Sequence, residues 1–82
     1  MSTLAANYRP YAQQVNCTSD LLVVELIDGR TISVPLLWFP LLAQATPSQL
    51  ANWQLLGDGE GIHWPELDED ISVNGLLTGS RP

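Results

Sequence analysis

His63 is the only histidine of the chain, and Glu60, Glu66, Asp68, Glu69 and Asp70 stand within a few residues of it. An imidazole beside carboxylates is the raw material of acid–base chemistry and of metal binding. The spacing fits no standard ligand pattern. Zinc sites usually recruit a second His or Cys, and the Asp68-Glu69-Asp70 run lacks the glycine and twelve-residue layout of a calcium loop. These acids therefore read as a solvated acidic edge, with Asp68 or Asp70 capping a final helix. No catalytic residue, metal or cofactor is assigned to them.

Other candidates for chemistry are weaker. Cys17 has neither a helix start nor a neighbouring cation to lower its pKa, so it reads as a small buried hydrophobe on a strand. Ser19, Ser33, Ser48 and Ser72 lack the flanking glycines of a nucleophile elbow. Gly57-Asp-Gly-Glu-Gly61 looks like a dinucleotide loop only superficially, because Ile62-His-Trp-Pro65 follows where a helix would be required. Of Trp38, Trp53 and Trp64, the expectation is core and cover, with Trp38 the one exposed at an interface.

The totals bound what the chain can do. Its 82 residues make one domain, and a chain of this size buries only about 60% of its unfolded surface, which makes homodimerisation compatible with its size. The apolar fraction, 45%, is that of a globular protein. Lysine is absent, the basic residues are Arg9, Arg30 and Arg81, and the net charge is -6. Three scattered arginines make no phosphate-binding patch, so direct nucleic-acid binding is not expected, whereas a basic protein partner suits the charge. The lone Cys17 forms no internal disulfide and points to a reducing, cytoplasmic setting. The N-terminus lacks the layout of a secretory signal. The longest apolar run, Val34 to Ala43, is broken by Pro35 and Pro40 and falls short of the ~20 residues of a membrane span.

The elements that must position these residues follow from pattern. Residues 1–10 read as a flexible tail, 11–79 as a single α+β domain and 80–82 as a second tail. Tyr11 to Thr18 reads as a strand with Val15 and Cys17 on one side, and Ser19-Asp20 as a turn. Leu21 to Ile27, Asp28-Gly29 and Arg30 to Val34 form the clearest hairpin. A two-residue turn would mix polar and apolar residues on both faces. A three-residue loop, Ile27-Asp28-Gly29 with Gly29 left-handed, pairs Val24 with Ile32 and Leu22 with Val34. It gathers Leu22, Val24, Leu26, Ile32 and Val34 on one face, and a one-residue slip would invert every side chain.

Pro35 stops that strand. Leu36 to Leu42 reads as one or two helical turns over the sheet, anchored by Phe39 and by Leu42 or Leu41. Thr46-Pro47-Ser48-Gln49 carries a capping box and predicts a short helix turning Leu50, Ala51 and Trp53 inward. Gln54 to Leu56 continues as strand, Gly57 to Gly61 as loop, and Gly61 to Trp64 as a strand stub with Ile62 and Trp64 opposite His63. Pro65 ends it, and a helix from about Ile71 to Leu77 closes the fold before Gly79. The whole reads as a small antiparallel meander-like sheet with short helices packed on one face.

Asp28-Gly-Arg-Thr-Ile-Ser-Val-Pro-Leu-Leu-Trp-Phe-Pro40, Ala45-Thr-Pro47, Ala51-Asn-Trp53, Gly59 to Val73 and Gly75-Leu-Leu77 together resemble the domain-of-unknown-function family number 2442. The resemblance covers about residues 11–79, and Gly61 to Asp70 is its most specific part. It implies a small α+β domain with a meander-like sheet. It also implies longer bacterial relatives carrying a helix-turn-helix, an extension not expected here, and short relatives whose genes often sit beside that of a small toxin-like protein. No catalytic residues carry over. The resulting expectation is a non-enzymatic protein-interaction module, antitoxin-like, that meets a basic partner through Trp38, Phe39, His63, Glu66, Asp68, Glu69 and Asp70. The alternatives are a small metal-dependent or acid–base hydrolase using His63 with Asp68 or Asp70, and an accessory transcriptional regulator.

Overall fold

The first hairpin fixes the architecture. Strands β2 (Leu21–Leu26) and β3 (Thr31–Pro35) pair antiparallel with Val24 opposite Ile32 and Leu22 opposite Val34. The loop closes as the sequence predicts: the Leu26 amide donates to Arg30 O, the Gly29 amide donates to Leu26 O, and Gly29 takes φ +97°. Leu22, Val24, Leu26 and Val34 are thereby buried on one face, while Glu25, Thr31 and Ser33 face water. Strand β1 (Ala12–Cys17) completes a three-stranded sheet in the order β1-β2-β3, with a register shift between Ala12 and Gln14. These elements belong to a computed structural model that describes residues 11–79; the expected tails at 1–10 and 80–82 lie outside the described residues.

After Pro35 the chain leaves the sheet as a 3₁₀ turn (Leu36–Trp38) and α1 (Pro40–Ala43). Leu36, Phe39 and Leu42 point into the core, and Leu37 and Leu41 point out. Next, α2 (Pro47–Ala51) begins with the predicted capping box: Thr46 Oγ1 accepts from the Gln49 amide at 3.1 Å, and Gln49 Oε1 accepts from the Thr46 amide at 3.0 Å. This helix buries less than expected. Leu50 is half-buried and Ala51 is exposed, because five residues make barely more than one turn and present a single side chain to the core.

The second half departs from a single meander. Strands β4 (Gln54–Leu56), β5 (Gly61–Trp64) and β6 (Glu69–Ser72) form their own antiparallel sheet, in that order. The fold is α+β with two three-stranded sheets. Residues Glu69 to Ser72, expected to lead into or begin the last helix, are instead the third strand. Trp64 pairs with Glu69 and Ile62 with Ile71, because the turn from Pro65 to Asp68 returns the chain directly, with Asp68 left-handed at φ 52°. The helix cap therefore falls to Ser72, whose Oγ accepts from the Gly75 amide at 3.1 Å, and not to Asp68 or Asp70. Helix α3 (Val73–Thr78) has no acid in its first turn and ends at Gly79, the expected stop, which is left-handed at φ 81°.

One core serves both sheets: Val15, Leu22, Val24 and Leu26 from the first, Ile62, Trp64 and Ile71 from the second, Val73 and Leu76 from α3. Trp64 is fully covered, and its indole N–H donates to Leu50 O at 3.1 Å, which ties β5 to α2. Trp38 and Trp53 are half-buried against this core. Among the described residues no helix is long and apolar enough to cross a membrane.

The sheets meet at Gly59. The Ala12 amide donates to Gly59 O at 2.7 Å, and a Cβ at Gly59 would stand 2.3 Å from Ala12 O. Gly59 also has φ +104°. Gly59→Ala is expected to lower stability by about 3 kcal/mol, through strain and clash together. Gly29→Ala, with nothing within 4 Å of the added Cβ, is expected to cost about 1 kcal/mol. Urea denaturation of both variants checks the order, and equal losses would contradict the seam.

Asp28 supplies a pH test of the first hairpin. Its carboxylate accepts from the Arg30 amide at 3.0 Å and from Arg30 Nε at 2.8 Å. The amide hydrogen bond first, and then the guanidinium, hold its pKa below the ordinary 3.8. Because the folded-state value is depressed, the stabilisation is present above the unfolded value and is lost as pH falls through the folded one. Asp28→Asn is therefore expected to be less stable than the parent at neutral pH, with the gap closing below the usual carboxyl range. A gap that stays constant with pH in urea titrations would exclude this linkage.

Candidate functional site

Strand parity in the β5–β6 hairpin sets His63 beside Asp70. Successive side chains on a strand face opposite ways, so burying Ile62, Trp64 and Ile71 turns His63 and Asp70 outward. His63 lies opposite Asp70 on one side and Gln54 on the other, which makes a row across the three strands. His63 Nδ1 contacts Asp70 Oδ1 directly. Beside a carboxylate, a neutral imidazole must carry its proton on Nδ1, which leaves Nε2 as the lone-pair nitrogen.

The other acids are spread around the same hairpin. Glu66 Oε2 accepts from Asn52 Nδ2 at 3.0 Å, and Glu69 Oε1 accepts from the Asp70 amide at 3.2 Å. Glu66, Asp68 and Asp70 are exposed and Glu69 is half-buried. Among the described residues the only arginine is Arg30, and Asp28 already holds it at 2.8 Å. The hairpin thus projects negative charge with no described Arg or Lys ion-paired to it.

Chemically this is a surface and not an enclosed centre. The Asp70 side chain is 67% exposed and that of His63 is 28% exposed, so the pair is screened by water and contributes little to stability. Among the described residues no three His, Cys, Asp or Glu side chains gather in a way that could hold a metal ion. No described hydroxyl or thiol hydrogen-bonds to His63. Ser72 Oγ is engaged with the Gly75 amide.

The seven residues read from sequence as partner-facing do not form one patch. His63, Glu66, Asp68, Glu69 and Asp70 share the hairpin. Phe39 does not face a partner: it is 4% exposed and anchors the 3₁₀ turn in the core. Trp38 lies half-buried against that core. The exposed apolar residues of this segment are Leu37 and Leu41. The sequence reading of Phe39 as an anchor of this turn holds, and of the open pair Leu42 is the one buried. Asn52 and Gln54, which approach Glu66 and His63, carry no signal in the sequence.

A second feature lies between β1 and α2. A groove of ≈ 560 Å³ runs beside the end of β1, between Val15, Cys17 and Ser19 on one wall and Leu50, Ala51 and Trp53 on the other. Cys17 is half-buried there, not fully buried, and burial raises its thiol pKa.

With this geometry in place, the comparisons with known proteins are consistent. The molecule is a small α+β protein built of paired antiparallel sheets, and the chain belongs to the family described as proteins of unknown function (DUF2442), whose model matches residues 12–82. It is similar to a protein of unknown function from Rhodospirillum rubrum, known from a crystal structure. The two are 32% identical with a TM-score of 0.78, over 92% of this chain and 93% of that one. It is also similar to an uncharacterized protein from Chromobacterium violaceum, known from solution NMR. Here the identity is 28% and the TM-score 0.77, over 99% of this chain and 75% of that one. No curated protein matches the chain.

Proposed function

We propose that the chain is a non-enzymatic interaction module whose β5–β6 hairpin docks a basic protein partner, in the manner of an antitoxin-like member of a pair. The observation that carries this reading is the set of carboxylates Glu66, Asp68, Glu69 and Asp70 on one hairpin, with the one described arginine engaged elsewhere by Asp28. Uncompensated surface charge of one sign steers association and selects partners of the other sign. A net charge of -6 without lysine favours such a partner over DNA or an anionic membrane. The lone Cys17 suits a reducing, cytoplasmic setting.

The test is calorimetric titration against the product of the neighbouring gene, the partner that the family resemblance implies. The triple variant Glu66→Gln, Asp68→Asn, Asp70→Asn is expected to bind at least about tenfold more weakly and to lose most of the salt dependence. Unchanged affinity in that variant, or no binding by the parent protein, would sink the reading.

A second reading draws on the His63–Asp70 contact. A carboxylate that fixes Nδ1–H leaves Nε2 as a base, which is the arrangement hydrolases use. It lacks a described nucleophile and an enclosed site. If this reading holds, His63→Ala abolishes hydrolysis of a panel of activated esters at unchanged stability. Under the docking reading the parent protein has no such activity, and the substitution alters only partner affinity.

A further inference from the structure

We propose that the outer edge of β1 accepts an additional strand: an uncharged, extended segment of a partner protein, seated in the groove between β1 and α2. The register makes this edge available. The Thr18 amide donates to Leu21 O, so Thr18 and Leu21 are a hydrogen-bonded pair. Antiparallel pairs alternate between bonded and non-bonded. With Cys17 opposite Leu22, Asn16 opposite Val23 and Val15 opposite Val24, the main-chain groups of Asn16 therefore face β2. Those of Val15 and Cys17 point off the outer edge. Among the described residues neither of these two amides has a hydrogen-bond partner.

Strand β1 carries none of the blunting residues of an edge strand, although α2 packs beside it and its register with β2 shifts between Ala12 and Gln14. Edge strands are normally blunted by charge or proline. Strand β3 ends in Pro35 and β6 carries Glu69 and Asp70, but Ala12 to Cys17 contains neither charge nor proline. Among the described residues the groove that borders it has no charged side chain in its lining, although the chain has nine Asp and Glu residues. None of its lining residues belongs to the acidic hairpin, so this site goes beyond the docking reading above.

Shape and charge select the occupant. The edge is recessed between β1 and the wall of Leu50, Ala51 and Trp53. An identical recessed edge cannot enter it, which argues against pairing with a second copy. A single extended segment can, adding main-chain hydrogen bonds to Val15 and Cys17 and placing alternate side chains against the apolar wall. A neutral lining favours a segment without charge, because a buried unpaired charge would be costly.

The experiment uses a displayed library of random seven-residue peptides selected against the full chain. Uncharged sequences with alternating apolar residues are expected, with affinities nearly independent of salt. Cys17→Pro removes an amide that does not serve the β1–β2 ladder, so the fold should persist while peptide affinity falls about tenfold or more. Cys17→Val keeps the amide while altering the groove wall, and should lose far less affinity than Cys17→Pro. Hydrogen exchange on the parent protein gives a readout without any variant: bound peptide should slow the Val15 and Cys17 amides at least about tenfold. Four outcomes overturn the proposal. These are a selection that returns no sequence above background, exchange at Val15 and Cys17 unchanged by peptide, a dimer that Cys17→Pro dissolves, or enriched basic sequences indifferent to Cys17→Pro. The last would place peptide binding on the acidic hairpin and leave the docking reading standing.

Discussion

Everything in this fold depends on one backbone-to-backbone contact, the approach of Gly59 to Ala12. Neither three-stranded sheet has enough apolar surface to be stable alone, because a sheet face must be covered to gain from burial. The Ala12–Gly59 hydrogen bond brings the start of β1 against the turn between β4 and β5. From that point Val15, Leu22, Val24 and Leu26 can share one interior with Ile62, Trp64 and Ile71. Only a residue without a side chain allows an approach this close, and only glycine takes φ +104° without strain. The seam thus links a sequence choice, a turn conformation and the existence of a common core.

Within that core Trp64 ties the second sheet to the helical layer. It brings large apolar area inside, and its one polar atom is satisfied by Leu50 O. Its burial also decides the surface. Once Trp64 and Ile62 face inward, pleat alternation sends His63 outward, and antiparallel pairing sets Asp70 beside it. The outward pairing of His63 with Asp70 is therefore a geometric consequence of core packing. Its electrostatic character follows from composition, since a chain without lysine has few cations with which to neutralise it.

The two candidate surfaces differ in physical kind. The hairpin offers charge, which acts over about a Debye length, is weakened by salt and governs encounter more than residence. The β1 groove offers neutral main-chain donors and acceptors beside apolar cover, which act only on contact. They lie on different elements and share no lining residue, so one partner could engage both or two partners could engage them separately. The likeness to the Rhodospirillum rubrum and Chromobacterium violaceum proteins extends over most of the chain and concerns the fold as a whole.

Much of the fold was legible in the residues themselves. The register of the first hairpin followed from the two-residue alternation of Leu22, Val24 and Leu26 together with a glycine that could turn left-handed. The capping box at Thr46 and Gln49 and the stops at Pro35, Pro65 and Gly79 are local chemistry and came out as read. What was not legible was non-local. Asp68 and Asp70 look like helix caps in isolation, and they became a turn and a strand because β5 offered Ile71 and Ser72 a pairing edge. Phe39 read from sequence as an anchor and is buried, but only the packed core chose Leu42 over Leu41. The contact of His63 with Asp70 required strand pairing across a turn, and the groove required α2 to settle beside β1. Sequence by itself determined the turn of the first hairpin, the capping box and the facing of β2, β3 and β5, because those depend on neighbours one to four residues apart. Tertiary structure decided which strands pair and what their outer faces meet, because those depend on which distant surfaces can be buried together.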